Sequence, residues 1–328
     1  MIRTQKVPCS LCSSTDSIFL FDTRDRLHGI ADKFTYVRCT ECGLVYMNPQ
    51  VAPEDIEKLY PPDYAPHSKK GKGIAPKIAS LYNRISKIPI IGYFPKQLMN
   101  VKIAGSIYRS LNRQSRILDV GCGSGAFLNT VRAGKSCEVY GVDISENAAK
   151  LAKSSFDLDI FKGTITEAQF PAAHFDIITA WWYLEHISDP QTTIAKISSL
   201  LKNNGYCIIG VPNYESFNAR HFKDKWYHLD SPRHLCIWTP RTITRLLEKH
   251  GLAVTKIIYD KTPWGLLGSL QYLLYGDNIN LEYRNRIRNS MLLWILLLPW
   301  TMLVSLLKKS DIMVVYARKT TDELSKAT

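Results

Sequence analysis

Hydrophobic runs of four to seven residues recur along the chain from residue 117 onward, and longer stretches with helical spacing of apolar positions separate them. Strands of a parallel sheet are buried on both faces, whereas the connecting helices bury only one face. The pattern therefore predicts an α/β fold built around a Rossmann-like sheet of seven strands. The predicted strands lie at 117–120, 137–142, 158–161, 175–181, 205–211, 253–259 and 312–317.

The first predicted strand runs into a glycine-rich turn, and the second ends on a carboxylate. Residues 117 to 125 have the sequence ILDVGCGSG, and Asp143 closes the stretch YGVD. A strand, a glycine turn, a helix and a second strand tipped by an acid form a unit that binds an adenosine-containing cofactor. Gly121, Gly123 and Ala126 formally fit the pattern of dinucleotide sites, with Asp143 on the ribose hydroxyls.

Asp119 distinguishes between two classes of cofactor. A pyrophosphate at a helix N-terminus needs amide donors and positive potential, and a carboxylate two residues before the first glycine would repel it. S-adenosylmethionine has no phosphate and carries an ammonium group and a sulfonium, so Asp119 favours this cofactor. Glycine in the turn lets the backbone approach the amino-acid part of that molecule closely.

These segments resemble the first two motifs of the class I S-adenosylmethionine-dependent methyltransferases, at 117–125 and 139–144. The resemblance implies a last strand that runs antiparallel between the fifth and the sixth, which 312–317 suits. Thr164 stands where many relatives carry an acid beside the adenine, so recognition there is left to backbone groups or to Thr164 itself. The implied cofactor-binding residues are Asp119, Gly121, Cys122, Gly123, Gly125, Asp143, Ile144, Thr164, Trp181 and Tyr183.

Candidate acid–base residues follow the fourth and fifth predicted strands. The sequence WWYLEH at 181–186 resembles a segment of small-molecule methyltransferases that lines the cofactor near the transferred methyl. Its aromatic faces suit a sulfonium and equally suit a core. The insertion at 213–238, rich in aromatics and histidines, resembles a segment of quinone and glycan-precursor enzymes and is expected to roof the acceptor site; a structural hairpin is the alternative. Imidazole titrates near neutral pH, so the candidate bases are His186, His228 and His234.

Four of the eight cysteines form two CxxC pairs near the N-terminus. Two residues separate Cys9 from Cys12 and Cys39 from Cys42, and this short spacing is typical of zinc knuckles. The two pairs are separated by 26 residues. Four thiolates with no open coordination position predict a structural zinc ion, and free thiols in short turns are the alternative. The segment also resembles an N-terminal zinc-binding module of some sugar C-methyltransferases and of methyltransferases from polysaccharide gene clusters.

Composition divides the chain into four parts. We expect a zinc-binding module at 1–65, a basic linker and helical segment at 66–116, a methyltransferase core at 117–262 plus 308–319, and an apolar helical insertion at 263–307. The net charge is +13, and the linker contains no Asp or Glu. Such a segment can meet anionic lipid head groups, a diphosphate-bearing substrate or nucleic acid, or be a solvated linker. Nucleic acid ranks last because no RNA-binding signature accompanies the charge.

Two apolar segments, 264–275 and 291–307, fall between the sixth and seventh predicted strands. The second has 17 residues, contains Pro299 and is flanked by Arg and Lys. This length is at the lower edge for spanning a bilayer, and a single crossing would leave the last strand on the wrong side. The sequence therefore predicts docking on a membrane surface, with a dimer interface and ordinary core packing as alternatives.

The predicted function is methyl transfer to a small-molecule acceptor, with a sugar nucleotide or a lipid-linked glycan precursor as the leading class. An isoprenoid-quinone O-methyltransferase would explain the apolar segments but not the zinc module. A non-catalytic zinc-containing scaffold is the alternative from another class. The N-terminus lacks the apolar core of a signal peptide, so the expected location is the cytoplasm, peripheral on the inner face of the membrane. The acceptor atom and the oligomeric state stay open.

Overall fold

Alternating strands and helices build the protein, whose computed structural model describes residues 2–60, 105–276, 287, 288 and 290–320. Most of the predicted basic linker lies outside these residues. The strands are β1 (Thr4–Gln5), β2 (Ser17–Arg24), β3 (Lys33–Cys39), β4 (Val45–Met47), β5 (Gln50–Val51), β6 (Arg116–Val120), β7 (Glu138–Asp143), β8 (Phe161–Lys162), β9 (Phe175–Trp181), β10 (Leu201–Pro212), β11 (Cys236–Ile237), β12 (Leu252–Tyr259) and β13 (Ile312–Lys319). The α-helices are α1 (Gly105–Ser110), α2 (Ala126–Lys135), α3 (Glu146–Phe156), α4 (Pro190–Leu200), α5 (Phe217–Phe222), α6 (Pro240–Lys249), α7 (Trp264–Tyr275) and α8 (Met291–Leu306).

The central sheet has seven strands in the order β12-β13-β10-β9-β6-β7-β8. Strands β6 to β10 pair in parallel, whereas β13 runs antiparallel to both β10 and β12. The apolar runs thus mark the strands because both faces of this sheet are covered. The predicted α/β fold with an antiparallel seventh strand between the fifth and sixth is confirmed.

The third strand is the one that differs most from its prediction at 158–161. In the structure β8 has only two residues, at the edge of the sheet. The chain leaves α3 through Asp157 in the left-handed region, and the Leu158 amide then donates to the Ala152 carbonyl. Leu158 is buried beneath Gly125. Its apolar character therefore serves packing under the glycine turn and not strand pairing.

Side-chain caps start the helices that follow the loops at the carboxyl ends of the strands. Ser145 accepts from the Ala148 amide at the start of α3, and Asp189 accepts from the Thr192 amide at the start of α4. Each cap satisfies a backbone donor that a helix end leaves unpaired. The caps fix where each helix begins and so hold the preceding loops in place.

The N-terminal module and the insertion at 213–238 share one sheet. Its order is β11-β4-β3-β2. The edge strand β11 belongs to the insertion, and the other three strands belong to the module. The Tyr36 hydroxyl donates to the buried His234 carbonyl at 2.7 Å, and the Met47 amide donates to the Leu235 carbonyl at 2.9 Å. The insertion is therefore braced against the module along its backbone.

A buried ion cluster centred on Arg233 adds a side-chain link between the same two parts. The guanidinium donates to both carboxyl oxygens of Asp25, at 2.8 and 3.1 Å, and to Asp230 at 2.6 Å. The side chains of Arg233 and Asp25 are fully buried. Burial alone would raise the pKa of the Asp25 carboxyl, yet the hydrogen bonds and charge of Arg233 hold that pKa below its usual value. All three groups are therefore charged at neutral pH.

Replacing Arg233 by Met should destabilise the protein strongly, because the buried carboxylate of Asp25 and the partly buried carboxylate of Asp230 would lose their counter-charge. We expect a loss of about 3–5 kcal/mol in the free energy of unfolding, measured by urea denaturation. The control is Lys150→Met, which removes one of the two exposed lysine partners of Glu146 and should change stability by about 1 kcal/mol or less. Equal effects of the two substitutions would contradict a structural role for the cluster.

Candidate functional site

The glycine turn after β6 is held against the end of β7 by backbone hydrogen bonds. The amides of Gly121 and Cys122 both donate to the Val142 carbonyl, at 2.8 and 3.1 Å. Gly121 has φ +71°, and a Cβ built there would lie 2.6 Å from Cδ2 of Tyr183. Only glycine allows the ring of Tyr183 to cover the turn so closely. The structure thus brings these predicted cofactor residues together.

Asp143 organises the same turn through its carboxylate. One oxygen accepts from the Gly123 amide at 2.8 Å, and the other accepts from the Ser145 amide at 2.9 Å. Gly125 follows in the left-handed region and is the N-cap residue of α2. The acid that was predicted to bind the cofactor therefore lies directly beside the glycine turn, and its hydrogen bonds shape that loop.

The other predicted residues around this turn differ in their exposure to solvent. Asp119 is buried, and its carboxylate accepts from the Thr179 hydroxyl at 2.6 Å. Cys122 is buried, and burial raises the pKa of its thiol, so it stays a neutral small group. Ile144 is 61% exposed although it is large and apolar. Its position next to Asp143 offers an apolar surface for a flat ring such as adenine.

The loop after β8 contains a carboxylate that sequence reasoning missed. Glu167 accepts from the amide and the hydroxyl of Thr164, at 2.7 and 2.9 Å. These hydrogen bonds lower the pKa of the Glu167 carboxyl. An acid thus stands at the loop where Thr164 departs from related sequences. It lies three positions further along the chain, so a position-by-position comparison did not find it.

The aromatic residues at the end of β9 and directly after it divide between the core and the surface. Trp181 is buried, packs edge-to-face on Phe127 and lies against Gly210, so its placement favours a core role. Trp182 has φ +55° and is 40% exposed, with its ring stacked on His228 at 5.7 Å. A bulky residue in the left-handed region is strained and is typical of functional sites. Trp182, which the predicted set of site residues omitted, is the more accessible aromatic.

His186 lies beside the insertion with one ring nitrogen fixed. Its Nδ1 is 3.0 Å from the Arg233 carbonyl and 3.2 Å from the Tyr60 hydroxyl. A carbonyl oxygen only accepts, so the contact with Arg233 places the proton on Nδ1. In the neutral ring Nε2 is then the nitrogen without a hydrogen, and therefore the one that can take up a proton.

His234 packs edge-to-face on His186, with ring centroids 4.6 Å apart. Its Nδ1 donates to the His228 carbonyl at 2.9 Å, as the hairpin alternative anticipated. Burial lowers the pKa of His234 to about 3, so this ring is neutral at physiological pH. His234 is therefore a neighbour that positions His186 and not a base that exchanges protons with solvent.

Glu185 lies next to His186 and His234 and forms a cluster with them. Its side chain is fully buried, and neither carboxyl oxygen has a hydrogen-bond partner among the described residues. Burial raises the pKa of Glu185 to about 8, so the group is mainly protonated at neutral pH. One donor atom from each of Glu185, His186 and His234 lies within 4.8 Å of the others, a spacing that a metal ion can also use.

His228 lies apart from the other two predicted bases. Burial lowers its pKa, and Nε2 has no partner among the described residues. The ring lies between Trp182 and Gly265 of α7. The three histidines that were predicted as alternatives are thus a pair, His186 and His234, and a separate ring beneath Trp182.

The four cysteines of the CxxC pairs converge in the N-terminal module. Sγ of Cys9 is 3.4 Å from Sγ of Cys42, and Sγ of Cys12 is 3.5 Å from Sγ of Cys39. All four sulfur atoms lie within 4.8 Å of one another. Tetrahedral zinc with Zn–S bonds of about 2.3 Å needs sulfur atoms roughly 3.8 Å apart. The cluster therefore fits a zinc ion.

Comparisons with known proteins agree with this geometry. Residues 98–257 match a family model described as "Methyltransferase domain". The ubiquinone biosynthesis O-methyltransferase of Hahella chejuensis is 36% identical over 189 residues, which cover 51% of this chain and 74% of that protein. The enzyme of the same name from Rhodopseudomonas palustris is 30% identical over 190 residues, covering 52% and 74%. The chain therefore belongs to the methyltransferase family. It is an S-adenosylmethionine-dependent methyltransferase, with S-adenosylmethionine as its cofactor.

Two further similar proteins match this chain over very different shares of their own length. A ubiquinone biosynthesis O-methyltransferase of Thiobacillus denitrificans is 33% identical over 108 residues, and the match spans 30% of this chain and 44% of that relative's length. The crystal structure of an S-adenosylmethionine-dependent methyltransferase from Archaeoglobus fulgidus is 22% identical, with a TM-score of 0.45, and the match covers 69% of this chain and 98% of that one.

Asp143→Ala should weaken the binding of S-adenosylmethionine, measured by calorimetry. The change removes the carboxylate that accepts from the Gly123 and Ser145 amides and so holds the glycine turn in place. Loss of charged hydrogen bonds of about 1.5–3 kcal/mol corresponds to roughly a ten- to hundredfold rise in Kd. Asp159→Ala is the control, because that acid is exposed and pairs only with Lys153 among the described residues. Unchanged affinity of the Asp143 variant would contradict this assignment of the cofactor loop.

Proposed function

We propose that the protein transfers the methyl group of S-adenosylmethionine to a hydroxyl of a small acceptor, with His186 as the general base. The observation that carries this proposal is the hydrogen bond from Nδ1 of His186 to the Arg233 carbonyl at 3.0 Å. It leaves Nε2 as a proton acceptor at the end of the segment that follows β9. Ligands of open α/β sheets bind outside this edge.

The reaction forms a bond between the acceptor oxygen and the methyl carbon while the bond from that carbon to sulfur breaks. The hydroxyl proton passes to Nε2 of His186, and S-adenosylhomocysteine leaves. Holding the acceptor about 3 Å from the methyl, in line with the sulfur, supplies much of the rate. The imidazolium that forms at His186 lies near Asp230, whose carboxylate stays ionised because Arg233 offsets the effect of its burial. That charge stabilises the protonated base.

Two acceptor classes fit different features. A lipid-linked glycan precursor, or a sugar nucleotide, agrees with the CxxC module and the excess of basic residues. An isoprenoid quinone precursor is favoured by the names of the relatives at 30–36% identity. Both classes include acceptors that join a hydroxyl-bearing head to a lipid. We place the glycan precursor first, because its phosphates would use the positive charge.

His186→Asn should lower kcat while leaving the affinity for S-adenosylmethionine unchanged. Asparagine retains a donor for the Arg233 carbonyl but cannot take up a proton. We expect a fall of roughly 10²- to 10⁴-fold in the release of S-adenosylhomocysteine. His174→Asn is the matched control, since His174 precedes β9 at the opposite edge of the sheet.

The acceptor is found by supplying the enzyme with cell extract separated into nucleotide sugars, lipid-linked glycans and quinone precursors. Turnover with the glycan fraction supports our first choice, and turnover with the quinone fraction alone replaces it by the second. If His186→Asn keeps full activity on the active fraction, the assignment of the base is wrong.

We also propose that Cys9, Cys12, Cys39 and Cys42 bind a structural zinc ion. Their sulfur atoms already approach tetrahedral spacing, and a bound metal would add its binding free energy to that of folding. The purified protein should contain one zinc ion per chain by elemental analysis, and Cys39→Ser should lose it and melt at a lower temperature. Cys137→Ser, a buried cysteine outside the cluster, should retain the metal. Protein that folds fully without zinc would contradict this proposal.

A further inference from the structure

We propose that α8, together with the end of α7, forms a face that docks the protein onto a bilayer containing anionic lipids. On this face α8 lies along the membrane surface, with its apolar stripe among the lipid chains and basic side chains at the level of the head groups. We call this surface the docking face. It consists of the exposed apolar residues of 273–275 and 292–307.

The exposed residues of α8 form one continuous stripe. Leu292, Ile295, Leu296, Leu303 and Leu306 recur at helical spacing, and Leu306 is 78% exposed. Leu273 and Leu274 of α7 are exposed as well. Isolated exposed leucines are ordinary, but a helix with a whole apolar face in water marks an interaction surface.

The opposite side of α8 is fastened to the sheet. The hydroxyl of Thr301 donates to the Lys261 carbonyl at 2.7 Å, and the hydroxyl of Ser305 donates to the Tyr259 carbonyl at 3.1 Å. Val304 between them is buried. The helix therefore presents its stripe outward without leaving the fold, and its orientation is set by the end of β12.

These attachments agree with a helix that lies on a bilayer. Sixteen residues give a length of about 24 Å, less than the roughly 30 Å of the hydrocarbon core. Within the described ranges, every helix is too short or too polar to cross a membrane. The ends of α8 are also tied to the same folded body, which a crossing would pull apart.

The basic residues at both ends of α8 favour anionic lipids as the binding partner of the docking face. Arg288 precedes α8 and Lys308 follows it, and the sequence contains no Asp or Glu from residue 287 to residue 310. The Arg288 guanidinium also lies over the ring of Trp264, 5.1 Å from its centroid. Basic residues beside tryptophan are typical of the head-group layer. A second copy would bring the same positive charge, and Glu215 beside these residues is already paired with Lys309 at 3.3 Å. Anionic lipids supply the opposite charge.

The docking face is continuous with the insertion above the candidate site. The ring of Phe217 packs edge-to-face on Trp300 at 5.2 Å, and the Phe217 amide donates to the Lys309 carbonyl at 2.8 Å. A docked molecule would therefore hold the insertion next to the lipid surface. The value of this placement for a lipid-linked acceptor rests on the proposed function, but the docking itself does not.

The test is flotation of the full-length protein with vesicles of phosphatidylcholine, alone or with about 30% phosphatidylglycerol. The wild type should float with the anionic vesicles and far less with the neutral ones. Raising the salt from about 0.1 M to about 1 M should weaken binding. The double variant Leu296→Glu/Leu303→Glu should bind at least roughly tenfold more weakly, because two charges would enter the apolar layer.

The matched control is Ile18→Glu/Phe19→Glu, which places the same charges on exposed apolar residues of β2. It should bind vesicles as the wild type does. Binding of S-adenosylmethionine, measured by calorimetry, shows that each variant is folded. Because this measurement needs no vesicles, a loss of docking can be distinguished from a loss of the proposed function. Equal binding of both double variants would overturn the proposal. So would binding that ignores lipid charge, or a dimer in sedimentation that only Leu296→Glu/Leu303→Glu dissociates while vesicles stay unbound.

Discussion

The side chain of Arg233 carries a buried positive charge, and the elements around it are arranged to neutralise that charge. Asp25 comes from the N-terminal module and Asp230 from the insertion, so the ion cluster exists only when both parts are in place. The backbone carbonyl of the same residue accepts from His186. One residue thus joins the module to the insertion with its side chain and orients the candidate base with its main chain.

The charges near the candidate base differ because their surroundings differ. His234 is neutral and Glu185 mainly protonated at neutral pH, since burial disfavours the charged form of each group. Asp230 is ionised because Arg233 is close. Among the described residues, the carboxylate of Asp230 therefore places a negative charge near His186, and the Arg233 guanidinium balances it in part. A proton that arrives on His186 meets an environment that already favours a cation.

Much of the fold was predictable because buried positions of strands and helices recur as a regular pattern of apolar residues in the sequence. The parallel strands follow from apolar runs, and the grouping of the four cysteines follows from their short spacings. The antiparallel course of β13 was implied by the resemblance to class I methyltransferases. The pairing of Arg233 with Asp25 spans 208 positions and has no periodic signal. The strained backbone of Trp182 and the fold-back of Glu167 onto Thr164 also depend on tertiary contacts. The site was therefore predicted as a set of loops, and its internal hydrogen bonds came only from the structure.

The pairing of β4 with β11 has a consequence for how the chain is made. Three strands of the module's sheet are synthesised first, but the fourth consists of residues 236 and 237. Until those residues leave the ribosome, the edge of β4 has no β11 to pair with, and an open strand edge invites association with other chains. Pairing across so long a stretch of chain is also slow. The first three strands of the module's sheet are therefore translated well before the strand that completes that sheet.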